Sequence, residues 1–241
     1  METNLDALDF WTGQTLLIDK PFKWTSFDVV NKLRIAISQT HTPRKRVKVG
    51  HAGTLDPLAT GLLLICTGKN TKKISGLQGM RKEYTGTITL GATRPSFDME
   101  TEIDQTFDFS AIGEEEIYQA TKQFIGVIDQ FPPIFSALKV KGKRLYESAR
   151  KGEKVEIKSR KVEINEFEIT GIELPEVHFR ISCSKGTYIR SIAHDFGKAL
   201  NNGGYLSALQ RTYIGEYALA NAWNLEELIA KVKEMKVDPQ S

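Results

Sequence analysis

Gly50-His51-Ala52-Gly53-Thr54-Leu55-Asp56-Pro57-Leu58-Ala59-Thr60-Gly61 runs directly into Leu62-Leu63-Leu64-Ile65-Cys66. Three glycines and a proline in the first twelve residues fix an unusual backbone course, so residues 47–61 read as loop. The five residues that follow read as an apolar strand, far too short to span a membrane. One carboxylate, Asp56, stands in the loop among Leu55, Pro57 and Leu58. In an apolar setting a carboxylate needs a cation or hydrogen-bond donors, or it protonates. From the residues alone Asp56 has two readings: the cap of a turn ahead of Pro57, or a charged catalytic group.

Upstream, residues 15–19 read as a short buried strand, and Ser26 as the cap of a helix with Val29, Val30, Leu33 and Ile37 on one face. Downstream, residues 83–91 alternate. Tyr84, Gly86, Ile88 and Leu90 face one way and Thr85, Thr87 and Thr89 the other, the pattern of a half-buried strand. Ile117, Ala120, Thr121, Phe124 and Ile125 predict an amphipathic helix with Glu114–Glu116 near its start. Residues 162–170 and 177–183 are strand-like. Ile189, Ile192, Ala193, Phe196 and Leu200 form a helix stopped by Asn201-Asn202-Gly203-Gly204. Residues 213–219 read as a last strand, and Asn224 with Glu227 as the capping pair of a short C-terminal helix. Regular βαβ alternation is absent, so the expected class is α/β (α+β), with a mixed, largely antiparallel central sheet flanked by helices and loops.

The 241 residues are enough to bury a real core, and 40% hydrophobic with 26% charged residues excludes disordered, collagenous and coiled-coil chains. The segment up to Phe10 carries Glu2, Asp6 and Asp9 and no Lys or Arg, unlike a signal or transit peptide. Two cysteines, Cys66 and Cys183, make neither a disulfide framework nor a zinc site, which points to a reducing, cytoplasmic setting. Net charge is only +3, but it is unevenly spread. Arg44, Lys45, Arg46 and Lys48 form a basic run, and residues 96–120 carry eight acids and no base. Residues 139–161 carry ten Lys or Arg against three Glu, interleaved with Gly142, Tyr146 and Gly152. Basic patches of this kind suit a polyanion; the plainer alternative is solvated surface.

Other chemistries fail on spacing. Gly61 and Gly68-Lys69-Asn70 are wrongly spaced for a phosphate loop and lack its hydroxyl. Ser136-Ala137-Leu138-Lys139 and Ser182-Cys183-Ser184-Lys185 match S-x-x-K without the companion motifs. His41, His51, His178 and His194 are not spaced as metal ligands, and there is no G-x-S-x-G elbow. No cofactor and no metal are expected.

The dodecapeptide around Asp56 resembles the signature of the TruB family of tRNA pseudouridine synthases. Further blocks resemble that family in order over about residues 15 to 215: Ile18-Asp19-Lys20-Pro21 with Thr25-Ser26; Lys82-Glu83-Tyr84; Phe131-Pro132-Pro133 with Ser136-Ala137-Leu138-Lys139 and Gly142-Lys143-Arg144-Leu145-Tyr146-Glu147; Ser184-Lys185-Gly186-Thr187-Tyr188-Ile189-Arg190; and Leu209-Gln210-Arg211. The resemblance implies the pseudouridine synthase fold over residues 10–220, with an RNA-gripping insertion at 131–161. Residues 221–241 are then a short C-terminal helix and tail, too few for the PUA domain of larger family members. It implies Asp56 as nucleophile, Arg190 as its ion-pair partner, and Tyr84 stacked on the uracil with its phenol as a proton acceptor. Tyr188 and Leu209 would line the pocket, and His51 would contact the displaced T-loop. Lys20, Lys141, Lys143 and Arg144 would bind the RNA. Read without the family, Tyr84, Tyr188 and Leu209 are ordinary core residues and His51 a loop histidine. The resemblance extends to the archaeal and eukaryotic guide-RNA enzymes, but the stand-alone bacterial type fits better. The expected activity is isomerisation of uridine at position 55 in the tRNA T-loop by a monomer, with no membrane partner. The rivals are a non-catalytic tRNA-binding protein or chaperone on the same fold, and a synthase for another RNA position.

Overall fold

The computed structural model describes residues 9–40, 46–136 and 157–235, and the backbone of 139–140 and 143–144. In chain order the elements are β1 (Thr15–Lys20), α1 (Ser26–Gln39), β2 (Val49–His51), β3 (Thr60–Thr67), α2 (Ile74–Gly79), β4 (Lys82–Leu90), β5 (Ala92–Thr93), β6 (Gln105–Thr106), α3 (Glu114–Lys122), β7 (Gly126–Gln130), β8 (Lys139–Val140), β9 (Lys143–Arg144), β10 (Arg160–Glu173), β11 (Glu176–Cys183), α4 (Ile189–Ala199), β12 (Gly204–Ile214), β13 (Tyr217–Ala218), β14 (Trp223–Asn224) and α5 (Leu225–Glu234). They fall into two units: one up to Lys82 and again from Gln210, the other Glu83–Leu209.

In the first unit the strand order is β14-β1-β3-β12, with β2 on β3 and β13 on β12. β1 pairs antiparallel with β3 from Thr15↔Cys66 to Lys20↔Gly61, whereas β14 runs parallel to β1 and the last part of β12 parallel to β3. The apolar run is buried along its length because its two faces serve two cores. Leu63 and Ile65 join Leu16, Ile18, Val29, Leu33 and Ile37 from β1 and α1, and Leu228, Ile229 and Val232 from α5. Leu62, Leu64 and Cys66 join Ala52, Leu77 and Ile214. Each such side chain removed from water contributes about 1.5–3 kcal/mol, and the two-residue period of a strand divides them.

The cap of α1 is Thr25, not Ser26. Thr25 Oγ1 accepts from the Asp28 N–H at 3.1 Å and Asp28 Oδ2 from the Thr25 N–H at 2.8 Å, a reciprocal box. The Thr25 hydroxyl, donating to Asp28 Oδ2 at 2.6 Å, and then the Thr25 N–H hold the Asp28 carboxyl below its usual range. The 47–61 segment is not all loop: Val49–His51 pairs with β3, and β3 begins at Thr60.

In the second unit the order is β12-β4-β11-β10-β7. β10 forms a long hairpin with β11 and pairs antiparallel with β7. Phe124, Phe167, Phe179 and Phe196 pack ring to ring between its sheet and helices, at centroid separations of 5.5–6.2 Å. α3 stops at Lys122, before Phe124 and Ile125. The expected last strand at 213–219 is instead the end of β12, which begins at Gly204, followed by β13. Within the basic insertion, β8 pairs antiparallel with β9, Lys139 opposite Arg144. The sheet is mixed and helix-flanked, as expected. No helix among the described residues is long and apolar enough to cross a membrane.

Candidate active site

The loop carrying Asp56 is held from several sides, all within the first unit. From β1, the fully buried Lys20 points its ammonium at three carbonyls: Pro21 at 2.9 Å, Trp24 at 2.6 Å and Pro57 at 3.4 Å. Asp19 Oδ1 accepts from the Gly61 N–H at 3.1 Å. From α1, Ser26 Oγ accepts from the Leu55 N–H at 2.9 Å and donates to the Leu55 carbonyl at 3.2 Å. From β12, the buried Arg211 donates from Nε to Leu62 O at 2.7 Å, and its terminal nitrogens donate to Gly53 O at 3.1 Å and Thr54 O at 3.5 Å. The Ala59 N–H closes a turn on Asp56 O at 3.1 Å. Gly61 has φ +100°, and a Cβ there would stand 2.5 Å from Arg211 O, so glycine is required where the loop enters β3 beside β12.

Two buried cations thus grip the backbone on either side of a half-buried Asp56. Burial pushes the Lys20 ammonium down to about 8, and the negative charge of Asp56 is the largest influence opposing that fall. His51, at the end of β2, is lowered from its ordinary value by burial. A hydrogen bond with the Gly53 backbone acts the other way, and the Arg211 charge adds to the fall, so the ring is neutral at pH 7.

In the second unit, Arg190 on α4 is only 4% exposed. Its NH1 donates to Phe135 O at 2.9 Å and Ser96 O at 3.3 Å, and its Nε lies 3.4 Å from Asp98 Oδ2, itself buried. Tyr188 precedes α4. Its N–H donates to Gln130 Oε1 at 2.8 Å, Gln130 Nε2 donates back to its carbonyl at 3.1 Å, and the Arg160 guanidinium lies 4.4 Å from the centre of its ring. Tyr84 is buried on β4, and Leu209 is half-buried on the neighbouring β12.

Asp56, Lys20 and His51 therefore gather about one loop, and Arg190, Tyr188, Tyr84 and Leu209 belong to the other unit. The Lys141 residue and the side chains of Lys143 and Arg144 lie outside the described residues. Sequence reasoning missed Arg211, Asp98 and Gln130. Arg211 carried a signal, a charged residue inside a matched motif; Asp98 was one of eight acids in residues 96–120, with nothing to single it out. Among the described residues no group of His, Cys, Asp or Glu is placed to hold a metal ion.

The model of a family described as TruB family pseudouridylate synthase (N terminal domain) matches residues 41–189. The tRNA pseudouridine synthase B of Flavobacterium johnsoniae is 64% identical, over 89% of this chain and 93% of its own. That of Parabacteroides distasonis is 49% identical over 95% of this chain and 100% of its own. Among solved structures, a Cbf5-Nop10-Gar1 complex matches with a TM-score of 0.68 and 27% identity, over 95% of this chain and 60% of that one. An H/ACA RNP bound to a substrate RNA containing 2'-deoxyuridine matches with a TM-score of 0.67 and 26% identity, over 95% of this chain and 57% of that one. This chain thus spans about 60% of the length of those structural neighbours.

Proposed function

The chain belongs to the TruB family of pseudouridylate synthases, and from that membership we propose that it isomerises uridine to pseudouridine at position 55 in the T-loop of tRNA, with Asp56 as nucleophile. The observation that carries the reading is similarity over nearly the whole length of relatives named tRNA pseudouridine synthase B. The grip on residues 53–57 supports it, since attack needs a carboxylate held in one place.

The reaction replaces the N1–C1′ bond of uridine with a C5–C1′ bond. The proton on C5 is lost and N1 gains one, so no oxidant, metal or nucleotide is consumed. In this reading Asp56 supplies the nucleophilic oxygen, and the Arg190 guanidinium keeps it ionised and aimed. Tyr84 stacks on the extruded uracil and its phenol takes a proton, while Tyr188 and Leu209 line the base pocket. His51, neutral at pH 7, contacts the displaced T-loop without adding charge. Lys20, expected to touch the RNA, is instead fully buried with its ammonium on three carbonyls, so in this reading it acts through the loop that it holds. Flipping the base costs a few kcal/mol, which RNA contacts from Lys141, Lys143 and Arg144 in the 131–161 insertion help to offset. Two buried, unbridged cysteines suit the cytoplasm, where we read the chain as a monomer built of a catalytic part at 10–220 and a short helix and tail. The test is to incubate the protein with an unmodified tRNA transcript, without metal or nucleotide, and map pseudouridine base by base. Conversion at position 55 is expected; conversion elsewhere, or binding without conversion, would replace this reading.

A further inference from the structure

Phe22 and Phe27 are 54% and 62% exposed, two large aromatic rings within one short turn and the first turn of α1. Neither is loosely placed. The Lys20 ammonium ties the carbonyls at both ends of the Pro21–Trp24 bend, and the Trp24 N–H closes it on Pro21 O at 3.4 Å. Lys23 takes φ +67°, a left-handed conformation that a side-chain-bearing residue adopts only when its surroundings impose it. Trp24 turns in against the first core, which leaves Phe22 outside. The Thr25–Asp28 box fixes the start of α1, with Phe27 outward at its second residue. A buried ammonium, a strained residue and a capping box thus hold two phenyl rings in water, where they add nothing to either core.

The bend is also joined to the Asp56 loop. The Lys23 N–H donates to Pro57 O at 2.8 Å, one residue beyond Asp56. Lys23 Nζ lies 5.8 Å from the centre of the Phe22 ring, which puts a cation beside an exposed aromatic face. Aromatic faces with an adjoining cation are what an unpaired nucleotide needs: base on ring, phosphate on ammonium.

We propose that Phe22 and Phe27, with Lys23 between them, form a stacking platform for an unpaired base of the RNA substrate beside the Asp56 loop. The proposal rests on the reading of the chain as a tRNA-modifying enzyme and adds a contact that the catalytic chemistry does not require.

Four variants test it: Phe22→Ala with Phe27→Ala, Phe22→Tyr, Phe22→Leu, and Lys23→Gln. The probe is an unmodified tRNA transcript, read for affinity and for pseudouridine formation at saturating RNA. All three positions are on the surface, so melting temperatures should stay close to that of the parent. The double alanine variant should bind about five- to a hundredfold more weakly, the range expected when base stacking on an aromatic ring is removed, while turnover at saturation is retained. Phe22→Tyr should bind like the parent, and Phe22→Leu, which keeps apolar bulk without a π-face, should not. Lys23→Gln should lower the log–log salt slope by about one. Unchanged affinity in the double variant, or full rescue by leucine, would overturn the proposal while leaving the catalytic reading intact. So would sedimentation showing that the parent is a dimer which the double variant dissolves, since the rings would then face a second copy. A parent protein that neither binds nor converts tRNA would overturn both.

Discussion

Arg190 is almost completely buried beside Asp98, which is buried with it, and its NH1 donates to two backbone carbonyls. Asp98 is set by its neighbour. Phe97 takes φ +63°, and its ring stacks on His194 at 3.8 Å between centroids and 11° between planes. Burial, aided by the Lys198 charge and opposed by Asp104, pushes His194 down to about 4. The unfolded chain therefore takes up this proton first as pH falls, near the ordinary 6.5. The contribution of His194 to stability is full above 6.5 and is lost progressively toward 4. Urea midpoints of His194→Gln should accordingly fall less between pH 7 and 4.5 than those of the parent protein, and parallel curves would show that His194 titrates normally. None of this stack was readable in the sequence. His194 offered no metal spacing, and Asp98 stood among eight acids with nothing to mark it; both owe their burial to partners distant in the chain. Asp56 stood out as a lone carboxylate among glycines and a proline, which left it between turn cap and catalytic group; the resemblance of its dodecapeptide to the family signature decided between them.

β12 shows where patterning fails at the scale of an element. Asn201–Gly204 reads as the end of a helix, which it is, but Gly204 also opens the strand. Polar Ser207, Gln210, Arg211 and Thr212 then hide any alternation. Arg211 sits in that strand because its side chain replaces a layer of core with hydrogen bonds to Gly53, Thr54 and Leu62. Its removal leaves buried carbonyls without a donor. Arg211→Met, similar in length but neutral, should lose about 1–3 kcal/mol in denaturant unfolding for each buried carbonyl left without a donor. A loss under about 1 kcal/mol would mean that water or relaxation satisfies those carbonyls. By contrast, β1, β10, β11 and α4 were legible because each presents one continuous apolar face, and Leu62–Cys66 because a strand with a core on each side needs no polar residue.

At the scale of the molecule, class and family were legible because sheet-forming alternation and motif blocks recur over most of the chain, whereas the division into two units was not. It depends on which strands pair, and β12 belongs to both. Charge also acts at this scale. The net charge is only +3, yet residues 139–161 concentrate ten bases, so RNA affinity should depend on that insertion. Replacing Lys141 and Lys143 together with Ala should lower the log–log salt slope of tRNA binding by about one to two and leave turnover at saturation nearly unchanged. An unchanged slope and affinity would move the footprint to the Arg44–Lys48 run. The central claim is that this chain performs its isomerisation through the Asp56 carboxylate. Its most direct test is single-turnover pseudouridine formation by Asp56→Asn, with tRNA affinity measured in the same preparation. The substitution keeps size and hydrogen bonding and removes the attacking charge. Turnover should fall by roughly four orders of magnitude or more while affinity stays within about threefold of the parent; substantial turnover in the variant would contradict the assignment.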